Sequence, residues 1–273
     1  MNPRAAKLVT ARLGLALGLA AAGAVSIPAQ AAGPGKVVLV MGAKSPNPPH
    51  DQAGALRAVA NDLKGVRGLG PVVLANWPRS FRGASTVVLF CEGGVMHPLT
   101  DLGRLRALAE HVDGGGGLVV LHSGLVLEGS AGERLRSWLG ASFDPAQSRL
   151  PRVAWPATFT SFPDHPTTRG LSPFTLDEEW FLDLVVAKAA PGKLVPVLSA
   201  IPSEPAVAGG PLQAQLLAWA FERPDGGRSF GFSGGHDRVT WERPEVSRLI
   251  VNAIAWSAGL DRPAPAPTAT ASK

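Results

Sequence analysis

Apolar runs alternate with amphipathic segments along the first half of the chain. Four runs rich in β-branched residues predict buried strands, at residues 36–41, 72–75, 86–90 and 118–121. Segments 52–63 and 100–112 repeat apolar residues at helical spacing, and Thr100 is the expected N-cap of the second. Buried strands that alternate with helices are typical of a parallel sheet covered on both faces.

The second half follows a different pattern, with a short helix expected over 132–139 and a longer helix from Pro244 to about Ala258. Shorter segments joined by Gly/Pro turns predict further strands, at residues 152–161, 193–198, 213–221 and 229–232. The turn at 224–227, Pro-Asp-Gly-Gly, predicts a hairpin between the last two. The predicted fold class is α/β: a flavodoxin-like parallel sheet with helices on both faces and an antiparallel extension.

The first 31 residues have the pattern of a secretory signal peptide. Arg4, Lys7 and Arg12 precede or open an apolar run, and the small residues at 29–31 provide a cleavage site. The alternative is an uncleaved anchor, but the run is about a dozen residues, short of the roughly 20 that span a bilayer. We therefore expect a bacterial periplasmic or secreted protein with no membrane contact after cleavage. The predicted organisation is a signal peptide at 1–31, one domain at 32–260 and a disordered Pro/Ala-rich tail at 261–273.

Charge and cysteine content narrow the function classes. The chain has 26 Lys and Arg and 21 Asp and Glu, and the signal holds three of the bases and no acid, which leaves 23 bases against 21 acids. No dense basic run follows, so nucleic acid is not an expected partner. Cys91 is the one cysteine, which excludes an internal disulfide and leaves stability to packing.

Candidate chemistry gathers where the predicted strands end. In an open parallel sheet, ligands bind beyond the carboxyl ends of the strands. Histidines and carboxylates stand at those ends or in the later half: His50, Glu92, His97, His122, Glu179 and His236. We expect this set to form one cleft.

A series of short motifs carries a family resemblance. The motifs occur in fixed order: Ser45 with His50 and Gly54, then 115–122, 164–171, 178–181, 234–236, Trp241 and 252–259. The series resembles the ThuA-like (trehalose-utilisation) family over residues 37–259. The resemblance implies the fold of class I glutamine amidotransferases, a ThuA-like domain at 32–260, and an association with saccharide use.

The same resemblance implies where a nucleophile would stand. Class I amidotransferases carry a cysteine in the turn after the central strand and a His-x-Glu near the C-terminus. Here the turn at 121–124 reads Leu-His-Ser-Gly, and His236 has no Glu two positions later. Glutaminase activity is therefore not expected, because that chemistry needs a thiolate. Cys91 is expected to be a buried small side chain, and Ser123, which lacks a G-x-S-x-G elbow, to be structural.

Three residues are the candidates for catalysis: His122 and His236 as acid–base groups or metal ligands, and Glu179 as the carboxylate that orients them. The candidates for substrate binding are His50, Glu92, Trp180 and Trp241, since indole rings suit the C–H faces of sugars. Each has a plainer alternative: a histidine bonded to backbone, a strand-end ion pair, or a tryptophan in the core.

A divalent metal such as zinc is the one cofactor considered. His50, His122, Glu179 and His236 would suit it. No H-x-H or H-E-x-x-H spacing supports this hypothesis locally, so it depends on spatial convergence. The preferred hypothesis is an exported enzyme that hydrolyses, eliminates or isomerises a small-molecule saccharide or sugar derivative. The alternatives are a noncatalytic saccharide-binding protein and an interaction domain on the same scaffold.

Overall fold

The structure is a computed structural model that describes residues 35–42, 50–151, 153–187, 192–203 and 212–261. The predicted signal peptide, Ser45 and all but the first residue of the predicted tail lie outside these ranges. Within the described ranges, no helix combines the length and the apolar character that crossing a membrane requires.

The described elements alternate as the apolar pattern predicts. The strands are β1 (Gly35–Met41), β2 (Leu69–Leu74), β3 (Ala84–Phe90), β4 (Gly117–Leu121), β5 (Ala141–Ser142), β6 (Trp155–Phe159), β7 (Phe174–Glu178), β8 (Val185–Val186), β9 (Lys193–Ala200), β10 (Gln215–Glu222) and β11 (Arg228–Phe232). The α-helices are α1 (Gln52–Leu63), α2 (Leu102–Val112), α3 (Gly129–Leu139) and α4 (Pro244–Ser257).

Seven strands form the main sheet, in the order β2-β1-β3-β4-β11-β10-β9. The first five are parallel, and their order is that of flavodoxin-like sheets. β10 runs antiparallel to both β11 and β9, and β6 pairs with β7 in a separate antiparallel ribbon. The predicted parallel sheet with an antiparallel extension is therefore confirmed.

Two hydrophobic layers sandwich the sheet because successive residues of a strand face opposite sides. In β1, Val37 and Leu39 pack with α1 and α4, whereas Val38 and Val40 pack with α2 and α3. The ribbon β6–β7 joins the first layer. Both faces are covered, as the continuous apolar strands predict.

One predicted helix start is wrong. Asp101, not Thr100, caps α2, because its side chain accepts a hydrogen bond from the backbone N–H of Arg104 at 2.9 Å. Thr100 belongs to the preceding 3-10 turn and donates its hydroxyl to the carbonyl of His97. A threonine and an aspartate are both good caps, and here the residue directly before the helix takes the role.

Candidate metal centre

Four neighbouring parallel strands deliver the candidate residues to one edge of the sheet. Met41 of β1 lies beside Phe90 of β3, and Leu121 of β4 lies beside Phe232 of β11. The loops that leave these strand ends carry the candidate histidines and Glu92. The expected convergence over this edge is therefore present in the geometry.

His50, His122 and His236 meet there and are called the histidine cluster below. Nε2 of His50 lies 3.1 Å from Nδ1 of His236, and Nε2 of His122 lies 3.3 Å from the same atom. One nitrogen from each ring thus points into a common space, within 4.8 Å of the other two. Among the described residues, this is the group of His, Cys, Asp and Glu side chains arranged to hold a metal ion.

The remaining ring nitrogens fix which atoms face inward as electron-pair donors. Nδ1 of His50 donates a hydrogen bond to Oε1 of Glu92 at 2.8 Å. Nδ1 of His122 lies 2.7 Å from the backbone carbonyl of Ser233, which can only accept. Each ring keeps its proton on Nδ1, so the inward Nε2 carries a lone pair.

Two of the three nitrogen–nitrogen separations in the histidine cluster fit a tetrahedral metal. Zinc–nitrogen bonds of about 2.0–2.1 Å place neighbouring ligand atoms about 3.3–3.4 Å apart on the edges of a tetrahedron. The 3.1 and 3.3 Å separations are close to that edge length. The two inward Nε2 lone pairs and Oε2 of Glu179 all approach Nδ1 of His236, and a single proton there cannot serve three acceptors well. A cation in the common space would serve all of them.

Glu179 completes one side of the cluster. Its Oε2 lies 3.2 Å from Nδ1 of His236, which matches the expected pairing of these two residues. The side chains of His236 and Glu179 are 22% and 27% exposed, whereas those of His50 and Glu92 are 11% and 10% exposed. Solvent and ligands therefore reach the cluster from the side of Glu179.

His122 stands at a strained point of the chain. Its φ of +45° lies in the left-handed region, which costs a non-glycine residue of order 1–3 kcal/mol and is concentrated at functional sites. The imidazole stacks on Phe181 with ring centroids 4.9 Å apart. Burial lowers the pKa of His122 to about 3, the hydrogen bond to Ser233 opposes this, and His50 and His236 lower it further. The ring is therefore neutral and suited to bind a cation.

A second carboxylate, Glu178, lies beneath Glu179 and is fully buried. Its Oε1 accepts the backbone N–H groups of Glu179 at 2.8 Å and His236 at 3.2 Å. Its Oε2 accepts the hydroxyl of Thr240 at 2.6 Å and the N–H of Gly235 at 2.9 Å. Burial raises the pKa of Glu178, and the hydrogen bonds oppose this rise. All four partners are donors, which suits the carboxylate form.

The two tryptophans predicted to touch a sugar are placed differently. Trp180 is 0% exposed and packs edge-on against Phe159 and Phe232, so direct contact with a substrate is contradicted and core packing explains it. Trp241 is half-buried beside the cluster, and its Nε1 donates to the carbonyl of Gly235 at 3.1 Å. Sugar contact by Trp241 stays a prediction.

The two glycines before His236 allow the chain to pack closely against two indole rings. A Cβ on Gly234 would lie 2.7 Å from the ring of Trp180, and a Cβ on Gly235 would lie 2.4 Å from the ring of Trp241. The absence of side chains lets this loop approach both indoles. The close packing holds His236 at the sheet edge.

Glu92, predicted to bind substrate, lies behind His50. Its Oε1 accepts from both Nδ1 of His50 and Nε2 of Gln52, each at 2.8 Å. The predicted cleft-edge role of His97 is also not supported by its contacts, since Nε2 donates to the carbonyl of Gly124 and Nδ1 accepts from the N–H of Leu99. Glu92 therefore supports the ring of His50, and His97 is bonded to backbone groups.

Neither Cys91 nor Ser123 is placed to act as a nucleophile. Cys91 is buried, as expected, and burial raises the pKa of its thiol. Ser123 donates its hydroxyl to the carbonyl of Cys91 at 2.7 Å, as a structural serine does. The turn after β4 therefore presents the imidazole of His122 and no thiol.

Comparison with known proteins decides the family. The family described as "ThuA: Trehalose utilisation" matches residues 84–257. The chain belongs to the ThuA family. Two solved ThuA-like proteins share the fold, which confirms the predicted flavodoxin-like class. The one from Parabacteroides merdae is 15% identical with a TM-score of 0.63, and covers 86% of this chain and 94% of its own. The one from Bacteroides uniformis is 13% identical with a TM-score of 0.58, and covers 85% and 95%. No curated protein matches.

The sequence places Glu178 in the 178–181 motif but predicts no site role for it or for Thr240 in this ThuA-family chain. Strand β7 was not predicted, although Phe174, Leu176 and Glu178 alternate with exposed residues and so share its inward face. A carboxylate at an inward position of an apolar face is the signal that could have identified Glu178. Thr240 has no comparable signal, because only the fold brings it to Glu178.

Proposed function

We propose that this ThuA-family chain is a metal-dependent enzyme that acts on a carbohydrate or sugar derivative. The observation that carries the proposal is the convergence of one ring nitrogen from each of His50, His122 and His236 beside the carboxylate of Glu179. Three nitrogen ligands with an adjacent open position are typical of catalytic rather than structural metal sites.

The donor set favours a borderline divalent ion such as zinc. Imidazole nitrogens suit zinc and its neighbours in the first transition row, whereas calcium and magnesium prefer oxygen ligands. A divalent ion bound here would act as a Lewis acid towards an oxygen of the substrate or of water. His50 and His122 would hold it as neutral ligands, each fixed by the hydrogen bond on its other nitrogen.

Glu179 is the group that would move a proton. It lies on the more exposed side of the histidine cluster, 3.2 Å from Nδ1 of His236, where a substrate would enter. A carboxylate beside a polarised oxygen can take a proton from water or from a carbon next to a carbonyl, and can return it to a leaving group. Hydrolysis, elimination and isomerisation of a sugar all use this pair of functions.

The substrate class in this proposal follows from the family description, which is trehalose utilisation. The half-buried indole of Trp241 beside the cluster supports it, since a flat apolar ring suits a sugar face. Glutaminase activity is not proposed. The chain has one cysteine, Cys91, which is buried, and the position of a nucleophile is held by His122.

We also propose that the enzyme works outside the cytoplasm, because residues 1–31 have the charged, apolar and small-residue segments of a signal peptide. Mass spectrometry of the chain recovered from the periplasm or medium of a bacterial host would test this. A mature N-terminus at residue 32 or 33 is expected, and a retained residue 1 would contradict it.

The functional test is turnover of a panel of disaccharides and oxidised sugar derivatives, followed by mass spectrometry with and without a chelator. Activity should be lost on chelation and return with a divalent ion. Glu179→Gln should keep the metal but lower kcat by about 10²–10⁴-fold. Asp177→Asn, an exposed carboxylate change nearby on β7, is the matched control and should leave kcat unchanged.

Two outcomes would contradict the proposal. Turnover that is indifferent to chelation would remove the metal from the mechanism. Tight saccharide binding without turnover, unaffected by His122→Ala or His236→Ala, would favour a noncatalytic saccharide-binding protein, because acid–base groups are dispensable for affinity alone.

A further inference from the structure

Glu178 and Glu179 are neighbours in sequence but have separate surroundings. The carboxylate of Glu179 lies at the partly exposed side of the histidine cluster, whereas that of Glu178 is fully buried. A buried carboxylate is unfavourable unless hydrogen bonds compensate for lost hydration. Glu178 has four such bonds, so the surrounding chain is built around it.

The donors to one oxygen of Glu178 are a particular pair. Oε1 accepts from the backbone N–H of Glu179 and from that of His236, whose side chains then meet each other at 3.2 Å. Glu178 is thereby bonded to its neighbour in the sequence and to a residue 58 positions later. The carboxylate of Glu178 therefore holds the backbones of the two residues whose side chains face each other in the site.

The second oxygen fixes the rest of the loop. Oε2 accepts from the N–H of Gly235 and from the hydroxyl of Thr240, which lies in the 3-10 turn at Arg238–Glu242. The turn is thereby joined to the end of β7. The loop that carries Gly235 and His236 cannot shift without breaking a hydrogen bond to this buried carboxylate.

We propose that Glu178 is a positioning residue of the metal centre, which sets the separation of His236 Nδ1 and Glu179 Oε2 by holding both backbones on one carboxylate. The inference rests on the proposed function for its metal, and it extends that function to a residue that touches neither metal nor substrate. Carboxylates that orient ligands in this way typically change metal affinity 10–100-fold when they are altered.

The test compares Glu178→Gln, Thr240→Val and Thr240→Ser with the control Glu242→Gln, an exposed residue of the same turn whose side chain is 62% exposed. The glutamine keeps the size of Glu178 but points N–H groups at backbone donors. Co²⁺ titration, followed through the visible absorption of the bound ion, should show affinity reduced about 10–100-fold in Glu178→Gln, together with an altered spectrum. Thr240→Val should be reduced less, and Thr240→Ser and Glu242→Gln should behave as the wild type.

Co²⁺ affinity and spectrum unchanged in a folded Glu178→Gln protein would overturn the inference. If that variant does not fold, Thr240→Val decides, and an unchanged spectrum there has the same meaning. If the wild type binds no Co²⁺, the proposed function fails by itself. The positioning role is then decided by the imidazole ¹⁵N shifts of His236 and by amide hydrogen exchange at Gly235 in the metal-free chain. Both should differ between Glu178→Gln and Glu242→Gln, and identical values would overturn the role.

Discussion

Glu92 gives the sharpest quantitative prediction about the metal centre. Its Oε1 accepts both from Nδ1 of His50 and from Nε2 of Gln52, each at 2.8 Å. Glu92→Gln can keep both bonds on its amide oxygen and removes only the negative charge. Glu92→Ala removes the acceptor and frees the ring of His50 to turn. Altered outer partners of metal-bound histidines lower affinity about 10–100-fold, or about 1.4–2.7 kcal/mol. We expect the glutamine near the lower value and the alanine near the higher.

The assay is competition for Zn²⁺ between the chelator-stripped chain and a chromogenic chelator at pH 7.5. Glu110→Gln is the matched control, since Glu110 is exposed on α2. It should change affinity by less than about twofold, as substitutions at exposed positions do. Circular dichroism establishes that each variant is folded. A folded Glu92→Ala protein with wild-type Zn²⁺ affinity would contradict this prediction, because His50 would then not be a ligand oriented by Glu92.

Three further predictions concern stability and reactivity. Burial lowers the pKa of His97 to about 4, below the value of about 6.5 expected in the unfolded chain. The contribution of neutral His97 to the free energy of unfolding should therefore be fully present above pH 6.5. It should fall by up to about 1.4 kcal/mol per pH unit between pH 6.5 and pH 4. Urea unfolding at several pH values should show that the free energy of unfolding changes less with pH in metal-free His97→Asn than in the metal-free wild type. An equal dependence on pH in the two proteins would contradict this. Trp180→Ala should lower the free energy of unfolding by about 3–5 kcal/mol, whereas Trp241→Phe should instead raise KM for a saccharide; the reverse pattern would show that the assignments of core and cleft are exchanged. Cys91 should react with a thiol reagent only on unfolding, and rapid labelling of the native chain would mean that its burial is wrong.

Most of the fold is predictable because its main strands are short apolar runs that can be recognised from their own residues. β1, β3 and β4 are runs of Val and Leu, and their alternation with helices predicts a parallel sheet. β7 escapes this reasoning, because Phe174–Glu178 is short and carries two acids. Its inward face becomes meaningful only once the strand is recognised.

The sequence predicts which residues form the site better than it predicts what each of them does there. His122, His236 and Glu179 could be grouped because they follow strands or family motifs, and the structure brings them together. That β11 returns beside β4 is a long-range pairing, and it brings His236 within 3.3 Å of His122. Glu92 stands behind His50 rather than facing a substrate, which residue type and spacing do not encode.

The same limit explains the two tryptophans. Trp180 and Trp241 each neighbour a candidate polar residue in the sequence. Trp180 continues the inward alternation of β7 into the core, whereas Trp241 lies on the turn after His236. Proximity in sequence to a polar site residue therefore has no bearing on whether an indole faces a ligand.

A crystal of the chain grown with Zn²⁺ and measured at the zinc absorption edge would show whether the histidine cluster binds the metal. One anomalous peak is expected about 2.0–2.1 Å from Nε2 of His50, Nε2 of His122 and Nδ1 of His236, with Glu179 beside the open fourth position. A peak bound elsewhere, or no peak among these three rings at saturating Zn²⁺, would contradict it.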